Sequence, residues 1–303
     1  DVGIKPIIGC ELYTAPTTIY EKSAATKSSG HIVLLSKTTA GYHNLLKLAS
    51  IAATDGLYYK PRIDMDLLKK YHEGIICLSA CLQGDIPAKL LAGDKEGAYA
   101  KAKELKDIFG EDFYIELQYH GLEDQKKVLF PLIQLAKALD IQLVATNDVH
   151  YVEKKDAFAQ RVLMCMSMGK TVTDETALGY GNPDHWYLKS EEEMTEIFGS
   201  IAPEALANTQ VIADKCNAEI ELVEQGGYKL PTFPLPEGWK SNKEYFRTLC
   251  TAGLKRRYGN RWEKYLPRLE MEMGVIEKMG FVDYFLIVFD IIAFAKKNGI
   301  SIG

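Results

Sequence analysis

The stretch QLVATNDVHY, residues 142–151, indicates both the fold class and the kind of chemistry that this chain carries. An apolar run typical of a buried strand leads directly into Asp148 and His150. Residues two apart on extended backbone point the same way, so the pair places a carboxylate beside an imidazole. Sites in strand–helix barrels lie at this end of the strands, and both groups bind divalent metals. Taken alone, the stretch equally fits an aspartate and a histidine in a solvated loop.

The residues around this stretch alternate short apolar runs with helical patterns. Helical spacing of Ala, Leu and Lys covers residues 42–53, 94–109 and 122–139. Strand–helix units repeated in this way predict a parallel sheet or barrel. The five predicted strands are Lys5–Tyr13, His31–Ser36, Ile75–Ser79, Phe113–Gln118 and Gln142–Thr146.

The chain changes character after Tyr151. An amphipathic helix over Ala157–Met168 leads into a Gly/Asn/Asp-rich connection, residues 170–189, and a Pro/Gly-rich linker is predicted over 226–240. The other predicted helices are 190–198, 203–216, 242–258, 264–279 and 283–298. Capping boxes are predicted at Ser190/Glu193 and Ser241/Glu244, and glycines at 259, 280 and 299 fit helix C-caps. We therefore expect three parts: a barrel over 1–152, connecting helices and a linker over 153–240, and a helical part over 241–303.

The composition is typical of a soluble globular protein, with 47% hydrophobic residues in 303 and no apolar run long enough to span a bilayer. Six cysteines without CxxC spacing favour a reducing compartment over a disulfide framework. The first residues lack a signal-peptide pattern. The net charge of −5 hides a basic segment, because residues 239–303 hold 12 lysines and arginines against 7 acidic residues. The first residue is Asp rather than Met, and we expect a fragment of a longer protein.

Other candidate metal ligands lie near the predicted strand ends. Glu11 ends the run KPIIGCE within the predicted first strand, His31 opens the second strand, and Cys81 follows the third. Glu116 and His120, on and after the fourth strand, could ligate a metal or orient its ligands. Each has an ordinary alternative, such as a loop glutamate, an exposed or turn histidine, or a buried structural cysteine.

Together these residues predict a polynuclear metal site, and such sites commonly activate water against phosphate esters. The P-loop, GxGxxG, GxSxG and HExxH patterns are absent from the sequence. A basic and aromatic cluster could contact a phosphate backbone, although a solvated helix end fits its spacing as well. Its basic residues are Lys255, Arg256, Arg257 and Arg261.

Five segments together resemble the polymerase-and-histidinol-phosphatase (PHP) domain family: GIKPIIGCELY, HIVLLSKTTAGYHNLLKLAS, LSACLQGDIP, YIELQYHG and LVATNDVHY. The resemblance is closest to the version found in bacterial replicative DNA polymerase III alpha subunits. HWYLKSEEEMTEIF, ALANTQVIADKCN and YKLPTFPLPEG are similar to the passage from PHP domain to polymerase core in that family, and RLEMEMGVIEKMGFVDYFLIVFDIIAFAKKNGISIG is similar to the run into its palm.

The resemblance implies an incomplete (β/α)7-type PHP barrel that lacks its first strands, followed by an all-helical segment leading to the polymerase palm and thumb. It places Glu11, His31, Cys81, Asp148 and His150 on the family's metal-ligand positions, and makes His120 and Glu116 candidates for residues that orient those ligands. The family's HxH-type and TDH motifs would precede Asp1, and its polymerase aspartates would follow Gly303. The catalytic residues of polymerisation are therefore not assigned.

The resemblance implies a fragment of a bacterial, cytoplasmic DNA-directed DNA polymerase. Up to three divalent ions, Zn or Mn, would occupy the PHP site and support 3′–5′ exonuclease or phosphoesterase activity, and Mg would serve polymerisation. Implied partners are primer–template DNA, dNTPs, the sliding clamp, the clamp loader and a proofreading exonuclease subunit, without a membrane. The alternatives are a catalytically silent, metal-stabilised scaffold that docks a proofreading subunit, or a stand-alone PHP phosphoesterase.

Overall fold

The computed structural model describes residues 3–174, 183–220 and 230–303 of the chain. The chain divides into two compact units, Asp1–Ile220 and Glu221–Gly303. Parts of the predicted connection at 170–189 and of the predicted linker at 226–240 lie outside the described residues. In the described ranges, no helix is both long and apolar enough to cross a bilayer.

The first unit is built on one six-stranded sheet with the strand order β3-β1-β2-β4-β5-β6. Its two edge strands are β3 and β6, so the sheet is open, as expected of an incomplete PHP barrel. The strands are β1 Gly9–Thr14, β2 Gly30–Ser36, β3 Arg62–Ile63, β4 Ile75–Leu78, β5 Phe113–Leu117 and β6 Gln142–Ala145.

Strand β2 runs antiparallel to both of its neighbours, whereas β4, β5 and β6 are parallel to one another. The parallel pairing that the strand–helix units predict is therefore found among β4, β5 and β6, but not at β2. A parallel return needs a crossover connection, usually a helix. Residues 15–29 between β1 and β2 contain only the short 3-10 helix Ala24–Thr26, so β2 pairs with β1 in the opposite direction.

The predicted strands differ from the structure in two further ways. The first strand begins at Gly9 rather than Lys5 and continues to Thr14, so Glu11 lies inside it rather than at its end. Its last two residues pair with β3, a two-residue strand that is too short to show a period in the sequence.

Eight α-helices accompany this sheet in the described residues. Several begin at side-chain caps: Thr38, Asp64 and Asp94 each accept a backbone N–H of the first turn. The predicted capping box at Ser190 and Glu193 is present. The helices are α1 Thr39–Thr54, α2 Met65–Tyr71, α3 Asp85–Leu91, α4 Lys95–Phe109, α5 Glu123–Ala138, α6 Ala157–Met168, α7 Glu191–Phe198 and α8 Pro203–Lys215.

The two faces of the sheet have different surroundings. One face carries Leu34, Cys77 and Ile115, which are fully buried in the main core with apolar residues of α1 to α5. The opposite face has a smaller apolar cluster in which Ile212 of α8 packs with Tyr114 and neighbouring strand residues. Glu11, His31 and Glu116 belong to this second face, as the strand register shows. The polar candidates thus share the less enclosed side of the sheet.

The second unit is helical where it is described, with α9 Asn242–Tyr258, α10 Leu266–Lys278 and α11 Val282–Lys297. Its core is a cluster of buried residues, namely Phe233, Phe246, Met273 and Leu286. Glycines 259, 280 and 299 have positive φ at the helix ends, as the cap prediction requires. The predicted capping box at Ser241 is only half formed, because the Glu244 carboxylate accepts from the backbone N–H of Lys240 instead.

Candidate metal centre

The antiparallel pairing of β1 and β2 brings Glu11 and His31 together. His31 lies directly opposite Tyr13 in the register, and Glu11 shares the face of Tyr13 because the two residues are two apart on one strand. The Glu11 carboxylate forms a short contact with Nδ1 of His31. In an antiparallel pair, the beginning of one strand lies beside the end of its neighbour. His31 therefore joins the site although it lies at the beginning of β2.

The loop after β4 adds Cys81 to this pair. The Sγ atom of Cys81 lies 3.7 Å from Nδ1 of His31. The backbone N–H of His31 donates to the carbonyl of Gln83 at 3.0 Å, which fixes the loop against β2. The loop turns tightly at Gly84, where an added Cβ would lie 2.1 Å from the carbonyl oxygen of Ser79, so only glycine fits.

One ligand atom each from Glu11, His31 and Cys81 lies within 4.8 Å of the other two. We call these residues the three-donor group. Contact with the Cys81 thiol and then with the Glu11 carboxylate raises the pKa of His31 to about 9, against the opposing effect of burial. An imidazole must be neutral to ligate a metal, so metal binding at this group would release a proton.

Asp148 and His150, here called the Asp-His pair, follow β6. Their Oδ1 and Nε2 atoms are 3.7 Å apart. The neighbouring carboxylate raises the pKa of His150, against burial. Burial raises the pKa of Asp148, but His150, His120 and His31 together outweigh it and lower that pKa. The charge of Glu11 likewise acts on His150, so the pair and the three-donor group share one electrostatic environment.

The backbone at the Asp-His pair is strained and held by a distant segment. Asp148 has φ +37, which is uncommon for a residue other than glycine and often marks functional sites. The backbone N–H of His150 donates to the carbonyl of Trp186 at 2.9 Å. The side chain of Asn147 donates to the carbonyl of Tyr187 and accepts from Lys189. The segment HWYLKS therefore fixes the loop that carries the pair.

His120 lies behind the Asp-His pair rather than in it. Its ring stacks on Trp186 with centroids 4.0 Å apart and an interplanar angle of 7°. Gln125 donates to Nδ1 at 2.9 Å and Nε2 donates to the carbonyl of Asn147 at 2.8 Å, so both ring nitrogens have protein partners. Burial lowers the pKa of His120 to about 4. A neutral histidine held in this way suits the orientation of the Asp148 loop better than direct ligation.

Glu116 lies between the two halves of the site, which are the three-donor group and the Asp-His pair. Its side chain is almost fully buried, and its carboxylate accepts hydrogen bonds from the Thr146 hydroxyl and from Nε2 of Gln118. The backbone N–H of Ala80, beside Cys81, also acts on this carboxylate. Ala80 in the Cys81 loop has φ +63, and Asp148 in the loop after β6 has φ +37. Both loops that carry candidate ligands therefore have a residue with positive φ close to a residue that contacts Glu116.

The residue types fit a divalent metal. Carboxylate, imidazole and thiolate groups are the usual zinc ligands, and three protein donors with an open position are the pattern of catalytic sites. The exposed fraction of the Glu11 side chain is 48%, so the group is open to solvent on one side. The geometry therefore allows one ion at the three-donor group, with the Asp-His pair within its electrostatic reach.

Two family models match the chain. Residues 1–120 match the PHP domain, and residues 244–303 match the bacterial DNA polymerase III alpha NTPase domain. The chain is 44% identical over 304 residues to the DNA polymerase III subunit alpha of Treponema pallidum, covering 99% of this chain and 26% of the relative. The chain is therefore similar over nearly its whole length to DNA polymerase III alpha subunits.

Other alpha subunits show a similar identity and coverage. The one from Borreliella burgdorferi is 45% identical over 303 residues, covering 99% of this chain and 26% of the relative, and one from Helicobacter pylori is 40% identical over 325 residues, covering 99% and 27%. The chain thus spans about a quarter of the length of these curated relatives. The PHP match includes the three-donor group, and the Asp-His pair follows it in the sequence.

Trp186 belongs to the candidate metal centre, a role that its sequence pattern does not predict. It contacts both histidines, stacking on His120 and meeting His150 edge to face at 5.1 Å. The sequence pattern predicts only a connecting segment at HWYLKS. Its aromatic residues in a polar stretch were the available signal, because a buried aromatic side chain must have a packing partner.

The candidate DNA-contact residues lie on α9 and in the 3-10 helix that follows it, Gly259–Tyr265. The ammonium group of Lys255 lies 4.5 Å from the centroid of the Trp262 ring. Arg256 and Arg257 line a cavity that is otherwise largely apolar. The rings of Tyr258 and Tyr265 stack with centroids 4.1 Å apart. Basic and aromatic groups are therefore interleaved here, as the sequence indicated.

Proposed function

We propose that this chain acts as part of a bacterial replicative DNA polymerase alpha subunit, and that its PHP domain binds divalent metal ions and hydrolyses phosphodiesters. The observation that carries the metal site is the three-donor group, whose ligand atoms come from residues far apart in sequence yet lie within 4.8 Å of one another. The Asp-His pair would complete the site.

The ligand types favour Zn or Mn, and we propose up to three ions. When bound, such ions supply Lewis acidity and a hydrolytic nucleophile at neutral pH. The three-donor group would hold one ion, and Asp148 and His150 would share a neighbouring one. The substrate we propose is the 3′ end of a DNA strand, cleaved as in a 3′–5′ exonuclease.

For the longer protein we propose template-directed nucleotidyl transfer from dNTPs with Mg, in the bacterial cytoplasm. Its partners would be primer–template DNA, the sliding clamp, the clamp loader and a proofreading subunit. The similarity to alpha subunits over 99% of this chain supports this assignment. Lys255, Arg256, Arg257 and Arg261 are the proposed contacts to the phosphate backbone.

A second candidate function is a catalytically silent scaffold that docks a proofreading subunit. The charged groups of the site already pair with one another, Glu11 with His31 and Asp148 with His150. Such pairing is compatible with a domain that keeps its shape without turnover, and metal binding can stabilise a fold without catalysis. The match of residues 244–303 to an alpha-subunit domain makes a stand-alone phosphoesterase the weaker alternative.

Metal analysis combined with a nuclease assay separates these functions. We would measure bound metal and release of nucleotides from single-stranded DNA for the full-length protein, with Asp148→Asn and His150→Ala beside the wild type. Hydrolysis by the wild type that disappears with metal in both variants supports the nuclease. Metal loss in both variants without nuclease activity in any protein leaves the scaffold. A wild type that binds no metal contradicts the ligand assignment.

A further inference from the structure

We propose that the loop between α1 and β3 forms a binding subsite for a nucleotide of single-stranded DNA beside the metal centre, with Tyr59 stacking on a base and Lys60 contacting a phosphate. The proposal rests on the proposed function of the PHP site, because it names the substrate contact of that site. Its supporting contacts join residues 55–62 to Tyr13 and Lys27, none of which is a candidate metal ligand.

The loop presents Tyr59 to solvent in a strained conformation. Its side chain is 66% exposed although it is a large aromatic residue, and its φ is +59. The backbone N–H of Tyr58 donates to the carbonyl of Lys60 at 3.0 Å, which forces a tight turn with Tyr59 at its tip. Positive φ is unfavourable for a residue other than glycine and persists where the surroundings impose it.

A buried arginine imposes this shape. The Arg62 side chain is fully buried, and its Nε donates to the carbonyl of Gly56 at 3.3 Å while Nη1 donates to the carbonyl of Thr26 at 2.7 Å. Its guanidinium also lies 5.1 Å from the centroid of the Tyr58 ring. Arg62 thus connects the Tyr59 loop to the loop that precedes β2, and its hydrogen bonds hold the turn in place.

Two lysines bring positive charge to this loop. The ammonium group of Lys27 lies 4.5 Å from the centroid of the Tyr59 ring, and that of Lys60 lies 5.1 Å from the centroid of the Tyr13 ring. Aromatic rings interleaved with cations are the pattern by which proteins bind single strands, since every base has a stacking face and every linkage a phosphate.

The loop is adjacent to the three-donor group. Tyr13, the ring beneath Lys60, meets His31 edge to face with centroids 4.9 Å apart. One aromatic ring therefore separates the Lys60 ammonium from a candidate metal ligand. A strand whose scissile phosphate lay at the metal centre would place a neighbouring phosphate and base near Lys60 and Tyr59. This arrangement favours a nucleic-acid strand over an isolated small phosphate, which would not need the exposed ring.

The test is binding of a short fluorescent oligodeoxythymidylate, and of an abasic oligomer of equal length, to the 303-residue chain in EDTA. We expect Tyr59→Ala to weaken binding of the oligodeoxythymidylate about tenfold or more, to leave the abasic oligomer unaffected, and to be rescued in Tyr59→Phe. Lys60→Ala should weaken binding of both oligomers and reduce the slope of log affinity against log salt by about 0.7.

Lys70→Ala is the matched control, because the Lys70 ammonium also lies 5.1 Å from a tyrosine ring, that of Tyr71 on α2. It should leave binding of both oligomers unchanged. Oligomer binding that is equal in wild type, Tyr59→Ala and Lys60→Ala overturns the subsite, as does an equal loss in Lys70→Ala and Lys60→Ala, or no binding by the wild type. Oligomer binding is measured in EDTA, without metal. A metal centre that fails in the nuclease assay therefore does not affect this measurement, and the two failures can be distinguished.

Discussion

The two halves of the candidate metal centre are positioned in different ways. The three-donor group is set largely by the backbone: strand register brings Glu11 to His31, and a backbone hydrogen bond holds the Cys81 loop against β2. The Asp-His pair sits on a loop with positive φ that depends on side chains of the segment around Trp186. Strand register tolerates side-chain changes, whereas the loop needs its packing partners. Substitutions should therefore be able to remove metal binding at one half without removing it at the other.

The largest effect is expected from Cys81→Ser in protein loaded with cobalt. A thiolate ligand gives Co²⁺ an intense charge-transfer absorption, which this variant should lose, and metal affinity should fall by more than about 100-fold because a direct ligand is removed. Absorption spectra and chelator competition measure both quantities.

Cys10→Ser is the matched control for that experiment. Cys10 precedes Glu11 on β1 and belongs to the opposite face of the strand, and burial raises the pKa of its thiol. This variant should keep the wild-type spectrum. A spectrum that survives Cys81→Ser, or that is lost in Cys10→Ser, would show that strand register does not select the ligands as described.

A smaller effect is expected from Trp186→Ala, which removes the packing of the Asp-His pair. We expect the metal affinity that depends on the pair to fall about 10–100-fold, as for loss of a supporting residue. The cobalt–thiolate absorption should remain, because the three-donor group is unchanged. Removal of this buried ring should also lower the free energy of unfolding by about 3 kcal/mol.

Trp186→Phe should retain most of the stacking on His120, and Trp262→Ala in the second unit should leave metal binding unaltered. Simultaneous loss of the thiolate band and of the remaining metal in Trp186→Ala would break the distinction between the two halves. Chemical denaturation measures the free energy of unfolding, and metal titration at a temperature well below melting measures the metal affinity.

The smallest effect is expected from Glu116→Gln, read as a pH dependence of metal-free protein. Burial raises the pKa of Glu116, against its hydrogen bonds from Thr146 and Gln118. The stability that this carboxyl contributes is therefore present below its ordinary pKa, about 4.3, and is lost as pH rises through the raised value. The variant should gain stability relative to wild type as pH rises over this range.

Glu116→Leu, which removes the acceptor of both hydrogen bonds, should cost about 1–3 kcal/mol at low pH. This cost should fall as pH rises through the raised pKa of Glu116, because leucine does not titrate either. Urea denaturation across the acid range in EDTA measures both variants. A stability difference between Glu116→Gln and wild type that does not change with pH would mean that the carboxyl does not titrate in this range, and that burial does not dominate its environment.

Much of the fold could be predicted because its signals are local. The periodicity of α6 and α9 is regular enough to give their bounds, and capping residues mark several helix starts. The antiparallel direction of β2 could not be read from the sequence, since an apolar run looks the same in either direction. Strand β3 could not be read either, because its two residues are defined only by their pairing with β1.

Sequence alone identifies the residue types suited to metal chemistry and indicates that most of them lie on or directly after strands. These residues are Glu11, His31, Cys81, Asp148 and His150. The folded chain is needed to see that His31 meets Glu11 through antiparallel pairing. It is also needed to see that both ring nitrogens of His120 have protein partners and that Trp186 packs behind the Asp-His pair. This difference arises because ligand type is a property of single side chains, whereas proximity depends on strand direction and on packing between residues distant in sequence.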